Sequence, residues 1–332
     1  MPLIKYMEIN FSEQVIGSLQ EEYPDLQDAN LSIERYFNSP DGRIYNAFLM
    51  RSTKSGFERF VAKGDKLGNA VDKNQYERMA LQLLAERSVP APRLLYPDHT
   101  PERYLLMEYL EGKTASEALE EGMNPSEVFA MVGKALGSLH TVKGDSFGHI
   151  GGADEMGWYE QIGRKMRSQK LPGIRPLLPE DFCGQVEEYL ERYYPLLQED
   201  EKEGAVFIHK DAYFDNYILA TSGDAILIDY GLSSFGRPLF DFGKPCIFDF
   251  YRFPDALPAF LEAYYAIRPA SPNELDLLRF YLAYEAVGFI NFANEFGEHE
   301  SKQHVVNFLY ELIEGNGRVK ELLDTCESFY GS

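Results

Sequence analysis

The stretch VFIHKDAYFDNYILATSGDAILIDYGL, residues 206–232, decides how this chain is read. Three apolar runs, VFI, YILA and AILI, are bounded by polar and turn-forming residues, the pattern of short buried strands. Thr221-Ser222-Gly223-Asp224 joins the second run to the third as a hairpin connection. Antiparallel pairing then dictates what is near what. Asn216, just before the first hairpin strand, and Asp229, just after the second, reach the same open end, and Asp211 is held by the loop that feeds the hairpin. Three oxygen-bearing side chains at one mouth form a hard-donor set suited to Mg2+, which takes one or two carboxylates and completes its shell with water and phosphate oxygens.

Working outward, residues 31–63 read as an antiparallel meander: LSIERYF, a turn at NSPDGR, then IYNAFLMRS and FERFVAK. From about Lys73 the period changes. Glu77, Ala80, Leu81 and Leu84 share one helical face, and the helix should stop before VPAPRLL, whose prolines disfavour helical geometry in the preceding residues. RYLLMEYL is a further buried strand, and near Glu111-Gly112 the β-rich character ends. Beyond it the chain is mostly helical. Asn124-Pro125-Ser126-Glu127 and Ser271-Pro272-Asn273-Glu274 each combine an N-cap, a proline at the first helical position and a glutamate three residues on. The first opens a stripe of Phe129, Val132, Leu136 and Leu139; the second opens one of Leu275, Leu278, Leu282, Ala286 and Phe289.

Composition narrows the function classes. The 332 residues carry a formal charge of −21, which argues against nucleic acid as a partner, because phosphate backbones are bound through clustered Lys and Arg. No apolar run approaches the roughly 20 residues of a membrane helix, and the N-terminus lacks a charged-then-apolar signal pattern. Cys183, Cys246 and Cys326 lie far apart with no CxxC pair, so neither a zinc site nor a disulfide framework is expected, and a reducing cytoplasm is the natural setting.

The spacing His-x-D-x-x-x-x-N, followed by apolar residues and I-D-x-G, is the catalytic-loop and metal-loop pattern of the protein-kinase-like fold. From about residue 31 to 300 the chain resembles the aminoglycoside phosphotransferase and choline kinase family, which has that fold and phosphorylates small-molecule hydroxyls. The resemblance implies an α+β, two-lobed molecule. Residues 1–107 would form a β-rich nucleotide-binding lobe, 108–112 a hinge, and 113–332 a helical lobe with the catalytic loop and substrate pocket. It implies ATP or GTP and Mg2+ as cofactors. Lys63 of FVAK resembles the lysine on the α and β phosphates, and Glu77 its partner. Ser39 and Gly42 of NSPDGR would lie over the phosphates, and backbone groups near Glu108 to Leu110 would bind the adenine edge. Asp211 would be the base, Asn216 and Asp229 the magnesium ligands, and Asp241 of FGRPLFDFGK a brace for the catalytic loop. His209 and His140 read as structural.

The pattern departs from the family at Lys210, where small-molecule members usually carry glycine, and at the N-terminal hairpin, which has no GxGxxG. No Walker A sequence occurs. The lysine and the D-Y-G form open the alternative of a protein acceptor, against which stands the absence of an A-P-E element after Asp229. A non-catalytic nucleotide-binding module of the same fold is the other alternative, disfavoured because the lysine, base and metal positions are all filled. For the acceptor, family likeness points to the segment after LGSLH and to the C-terminal helices. Trp158, Tyr159, Tyr284 and Phe289 with Glu285 and Glu295 there suit an amine-bearing molecule, through aromatic faces and carboxylates.

Overall fold

A computed structural model describes residues 13–37, 47–54, 56–64, 73–100, 103–152 and 156–330. They fall into two compact units, Met1–Glu111 and Gly112–Ser332.

The first unit is built on an antiparallel sheet in the order β1 (Leu31–Phe37), β2 (Ala47–Ser52), β3 (Arg59–Gly64), β4 (Tyr104–Glu108). This is the expected meander. Alternation sends Phe48, Met50, Phe60, Ala62 and Leu106 to one face, where Val15 and Leu19 of a helix over 13–22 and the following Tyr23 cover them. That N-terminal helix was not among the sequence expectations. The register sets Lys63 opposite Ala47 on one side and Leu105 on the other, so Lys63 stands on a central strand. The helix Lys73–Glu86 buries Glu77, Ala80, Leu81 and Leu84, the face its period defines, and ends ahead of the prolines.

In the second unit the expected strands are β7 (Val206–Ile208), β8 (Tyr217–Ala220) and β9 (Ala225–Leu227). Short partners complete them: β5 (Gly112–Thr114) pairs with β8, and β6 (Gly148–His149) and β7 flank β10 (Ser234–Gly236). The helix Pro125–Leu139 starts where its cap predicts, with Asn124 Oδ1 accepting from the Ser126 N–H at 3.0 Å. It packs against the helix Leu257–Tyr265 at Gly133, where a Cβ would stand 2.4 Å from the Phe260 carbonyl oxygen.

The second predicted helix start is corrected. The helix runs Glu274–Phe296, so Pro272 is not its first residue. Asn273 takes a left-handed conformation at φ 62°, breaking the run one residue before the helix begins. The Glu274 carboxylate still accepts from the Ser271 N–H at 2.8 Å, so the capping chemistry survives in a displaced frame. Nor is this helix buried along one stripe. Leu277, Phe280, Tyr281, Ala283 and Tyr284 are buried with Leu278, Leu282 and Ala286, as suits a central helix wrapped by its neighbours.

Candidate active site

The hairpin carries two of the predicted residues. Tyr217 pairs with Leu227, and the Ile228 N–H reaches the Asn216 carbonyl at 2.8 Å, extending the ladder by one step. Asn216 and Asp229 therefore flank the open end, as antiparallel pairing requires. Asp229 adopts φ 65°, ψ 63°, a left-handed conformation that costs a non-glycine residue about 1–2 kcal/mol and that Asp tolerates better than most. Strain of this kind collects at functional sites.

Asp211 joins them through Asn216. The Asn216 Nδ2 donates to the Asp211 carbonyl at 2.7 Å and to its Oδ2 at 3.3 Å. Because the amide nitrogen is committed there, Asn216 Oδ1 is turned the other way and is available to a cation. Among the described residues no group of three or more His, Cys, Asp or Glu is placed to hold a metal ion.

Behind the loop stands Asp241, fully buried in the turn Pro238–Phe242. Its Oδ2 accepts from the His209 N–H at 2.6 Å and its Oδ1 from the Lys210 N–H at 2.7 Å, and His140 Nε2 lies 3.1 Å away. Burial pushes its carboxyl up, but the hydrogen bonds and charges of His140 and His209 outweigh it and hold the group below the usual carboxylate range. His209 bridges within the site: Nε2 lies 2.9 Å from the Ile228 carbonyl, and Nδ1 accepts from the Asp211 N–H at 3.2 Å. His140 Nδ1 meets the Tyr264 hydroxyl at 2.7 Å. Both histidines are framework, as their sequence context implied.

Burial holds His140 and His209 below the ordinary histidine value, against the upward pull of Asp241. The sign of the pH dependence follows. Below about 6.5 the unfolded chain takes up protons that the folded state refuses, so stability falls with pH by about 1.4 kcal/mol per unit for each histidine until the depressed folded values are reached. Asp241 acts at lower pH, its contribution being lost only as pH falls through its depressed value. Denaturant titrations at pH 7.5 and 5.5 should give a clear loss of stability at the lower pH, and the double variant His140→Gln/His209→Gln should flatten that slope.

In the first unit, Lys63 Nζ and Glu77 Oε2 lie 2.6 Å apart, with Glu77 buried and Lys63 partly exposed. Asn74 steadies the strand from the same helix by donating to the Lys63 carbonyl at 3.0 Å. The Glu108 N–H is given to the Arg93 carbonyl at 2.9 Å, so a base edge would have to meet other backbone groups between Glu108 and Leu110. Ser39 and Gly42 lie outside the described residues.

Most of the aromatic and acidic residues expected to receive an amine have partners within the protein. Trp158 is buried and donates its indole N–H to the Tyr281 hydroxyl at 2.7 Å. Tyr159 stacks on Tyr194 with centroids 4.2 Å apart, Phe289 packs edge-on to Phe248, and Glu295 is exposed. Lys170 Nζ sits 3.8 Å from the Tyr284 ring centroid, 2.9 Å from the Tyr284 carbonyl and 3.2 Å from Glu285. The ammonium on that aromatic and carboxylate pair belongs to the protein itself.

Two residues escaped the sequence reading. Lys244 pairs directly with the Asp211 carboxylate, and Lys170, at the end of the segment Met166–Lys170, pairs with Glu285. RKMRSQK at 164–170, a basic run in an acidic chain, was the available signal for Lys170; FDFGK offered none for Lys244.

Comparisons with known proteins bear on this arrangement. No curated protein matches the chain. Among solved structures, a thermostable mutant of aminoglycoside phosphotransferase APH(4)-Ia in ternary complex with ADP and hygromycin B aligns with TM-score 0.65 and 14% identity, over 91% of this chain and 99% of that one. The gentamicin-APH(2")-IIa complex gives 0.58 and 15%, over 93% and 97%. Choline kinase LicA from Streptococcus pneumoniae gives 0.56 and 16%, over 91% and 98%. At such identities the likeness establishes the protein-kinase-like fold that the β-rich first unit and the mostly helical second unit express. A family model described as "Phosphotransferase enzyme family" matches residues 40–279, a span that takes in β2 to β4 of the sheet, the hairpin and Asp241, and by that match the chain belongs to the phosphotransferase enzyme family.

Proposed function

We propose that this protein transfers the γ-phosphoryl group of ATP, or of GTP, to a hydroxyl of a small molecule in the presence of Mg2+. The observation that carries the proposal is the Asp211, Asn216 and Asp229 constellation, locked to the hairpin end and braced by Asp241. The complexes of structurally similar proteins with ADP and hygromycin B, and the likeness to a choline kinase, support a nucleotide and a small acceptor. The short path from Asp229 through β10 to the turn at Pro238 supports a small acceptor over a protein, since it leaves little chain for an activation loop.

Each residue then has a task. Asp211 accepts the proton as the acceptor oxygen bonds to the γ-phosphorus and the bond from that phosphorus to the β,γ-bridging oxygen breaks, releasing the nucleoside diphosphate. Asn216 Oδ1 and the Asp229 carboxylate would hold magnesium, whose charge would screen the phosphates. Lys63, oriented by Glu77, binds the α and β phosphates, and backbone groups near Glu108 and Leu110, with Ser39 and Gly42, complete the nucleotide site. Three buried free thiols, Cys183, Cys246 and Cys326, support a reducing, cytoplasmic setting. No described helix is long and apolar enough to cross a membrane.

The test is ADP release from ATP and Mg2+ across a panel of hydroxyl compounds, alongside thermal shifts with ATP and GTP. Acceptor-dependent release with a nucleotide-dependent shift is expected. Silence across the panel with no shift overturns the proposal.

A further inference from the structure

The chain's formal charge is −21, yet lysines collect beside Asp211 in the second unit. Lys244 pairs with Asp211 and lies 5.8 Å from the Tyr213 ring centroid. Its neighbour Gly243 is packed so closely on Glu285 that a Cβ would stand 2.6 Å from the Glu285 Cγ. Glu285 in turn pairs with Lys170. The Lys244–Asp211 pair is thus joined to the Lys170–Glu285 pair through Gly243, the residue before Lys244.

Lys210 completes the group. Burial is the largest influence on its ammonium and, with Lys165 and Lys170 nearby, brings it down to about 8 against the upward pull of Glu285 and Asp241. Lys170 has Glu285 and Lys244 has Asp211, but among the described residues Lys210 Nζ has no ion-pair partner. Its backbone is also unusual: φ is 68°, a left-handed conformation that glycine takes without steric cost and lysine does not. A lysine at a glycine-favouring position, half-buried next to Asp211 and with no carboxylate at ion-pair distance among the described residues, points to a ligand for its ammonium.

Resting on the phosphotransferase reading, we propose that the acceptor is an anion: beside its hydroxyl it carries a carboxylate or phosphate group, received by Lys210 with Lys244 and Lys170 lining the same wall. The Tyr284 and Glu285 pair, an aromatic face with a carboxylate suited to an ammonium, is occupied by Lys170. A local positive surface in an acidic molecule also concentrates anions where they are needed.

The test compares matched alcohols: glycerate and glycerol phosphate as anions, glycerol as the neutral form and ethanolamine as the cation, each followed by ADP release. Preference for an anion is expected. Lys210→Gly should raise the KM of the preferred anion by roughly 10- to 100-fold, the loss of a charged contact, while the KM for ATP stays within about twofold and the melting temperature does not fall. Lys210→Arg should recover part of the loss. An active enzyme that prefers the neutral or cationic alcohol overturns this inference and leaves the phosphotransferase reading standing. A rise in the KM for ATP instead would assign the lysine to the nucleotide and also overturn it. Should no alcohol be turned over, calorimetry of glycerate and glycerol phosphate on protein loaded with Mg2+ and AMP-PNP decides. Binding that Lys210→Gly abolishes upholds the inference, and absence of binding overturns it.

Discussion

Replacing Asp211 by asparagine lowers turnover by about 10²- to 10⁴-fold, the range that a positioned general base contributes, while the KM for ATP changes little. The substitution is nearly isosteric. Asn216 keeps its 2.7 Å bond to the residue 211 carbonyl, so the hairpin end retains its order. What is lost is the proton acceptor and the charge that Lys244 holds. Steady-state kinetics, with circular dichroism to confirm the fold, would check this; turnover at the unaltered rate would remove Asp211 from the mechanism.

Asp241→Ala produces the largest loss of stability. Three donors converge on that carboxylate, the N–H groups of His209 and Lys210 and the His140 ring; the His209 and His140 bonds are buried and the Lys210 bond partly so. Removing the acceptor leaves them unsatisfied in a water-poor interior, each at about 1–3 kcal/mol, so about 3–5 kcal/mol in all once relaxation is allowed. For a chain of this size that corresponds to a fall of roughly 6–10 °C in the melting temperature. Because the same two N–H bonds fix the catalytic loop, turnover should fall even where the variant stays folded. A melting temperature within about a degree of the unaltered protein would show that other contacts hold the loop.

Much of the site was legible because it is local. The apolar runs at 206–208, 217–220 and 225–227 declare their strands, and one hairpin connection then brings Asn216 and Asp229 together whatever surrounds them. Glu77 was legible for the same reason, since helical period alone places it on the buried face. The residues that escaped depend on contacts far apart in the chain: Lys244 meets Asp211 across 33 positions and Lys170 meets Glu285 across 115. Strands of two or three residues such as β6 and β10 exist only through their pairing partners and carry no periodic signal of their own. The start of the Glu274–Phe296 helix shows a third limit. The cap residues were recognised, but the left-handed Asn273 is a backbone choice to which their order does not point.

Lys210 joins the two kinds of evidence. Its sequence position looked anomalous beside glycine-bearing relatives, and the backbone supplies the reason glycine suits that position, a φ of 68°. The anomaly is thus a side chain placed at a conformational cost beside Asp211.

The most direct measurement is transfer of label from γ-labelled ATP, with Mg2+, into a panel of small hydroxyl compounds, run in parallel with Asp229→Ala. Label should appear in one small-molecule product and not in the protein, and transfer should be lost both with a chelator and in the variant. Label appearing in protein, or transfer undiminished in Asp229→Ala, would contradict the proposed function.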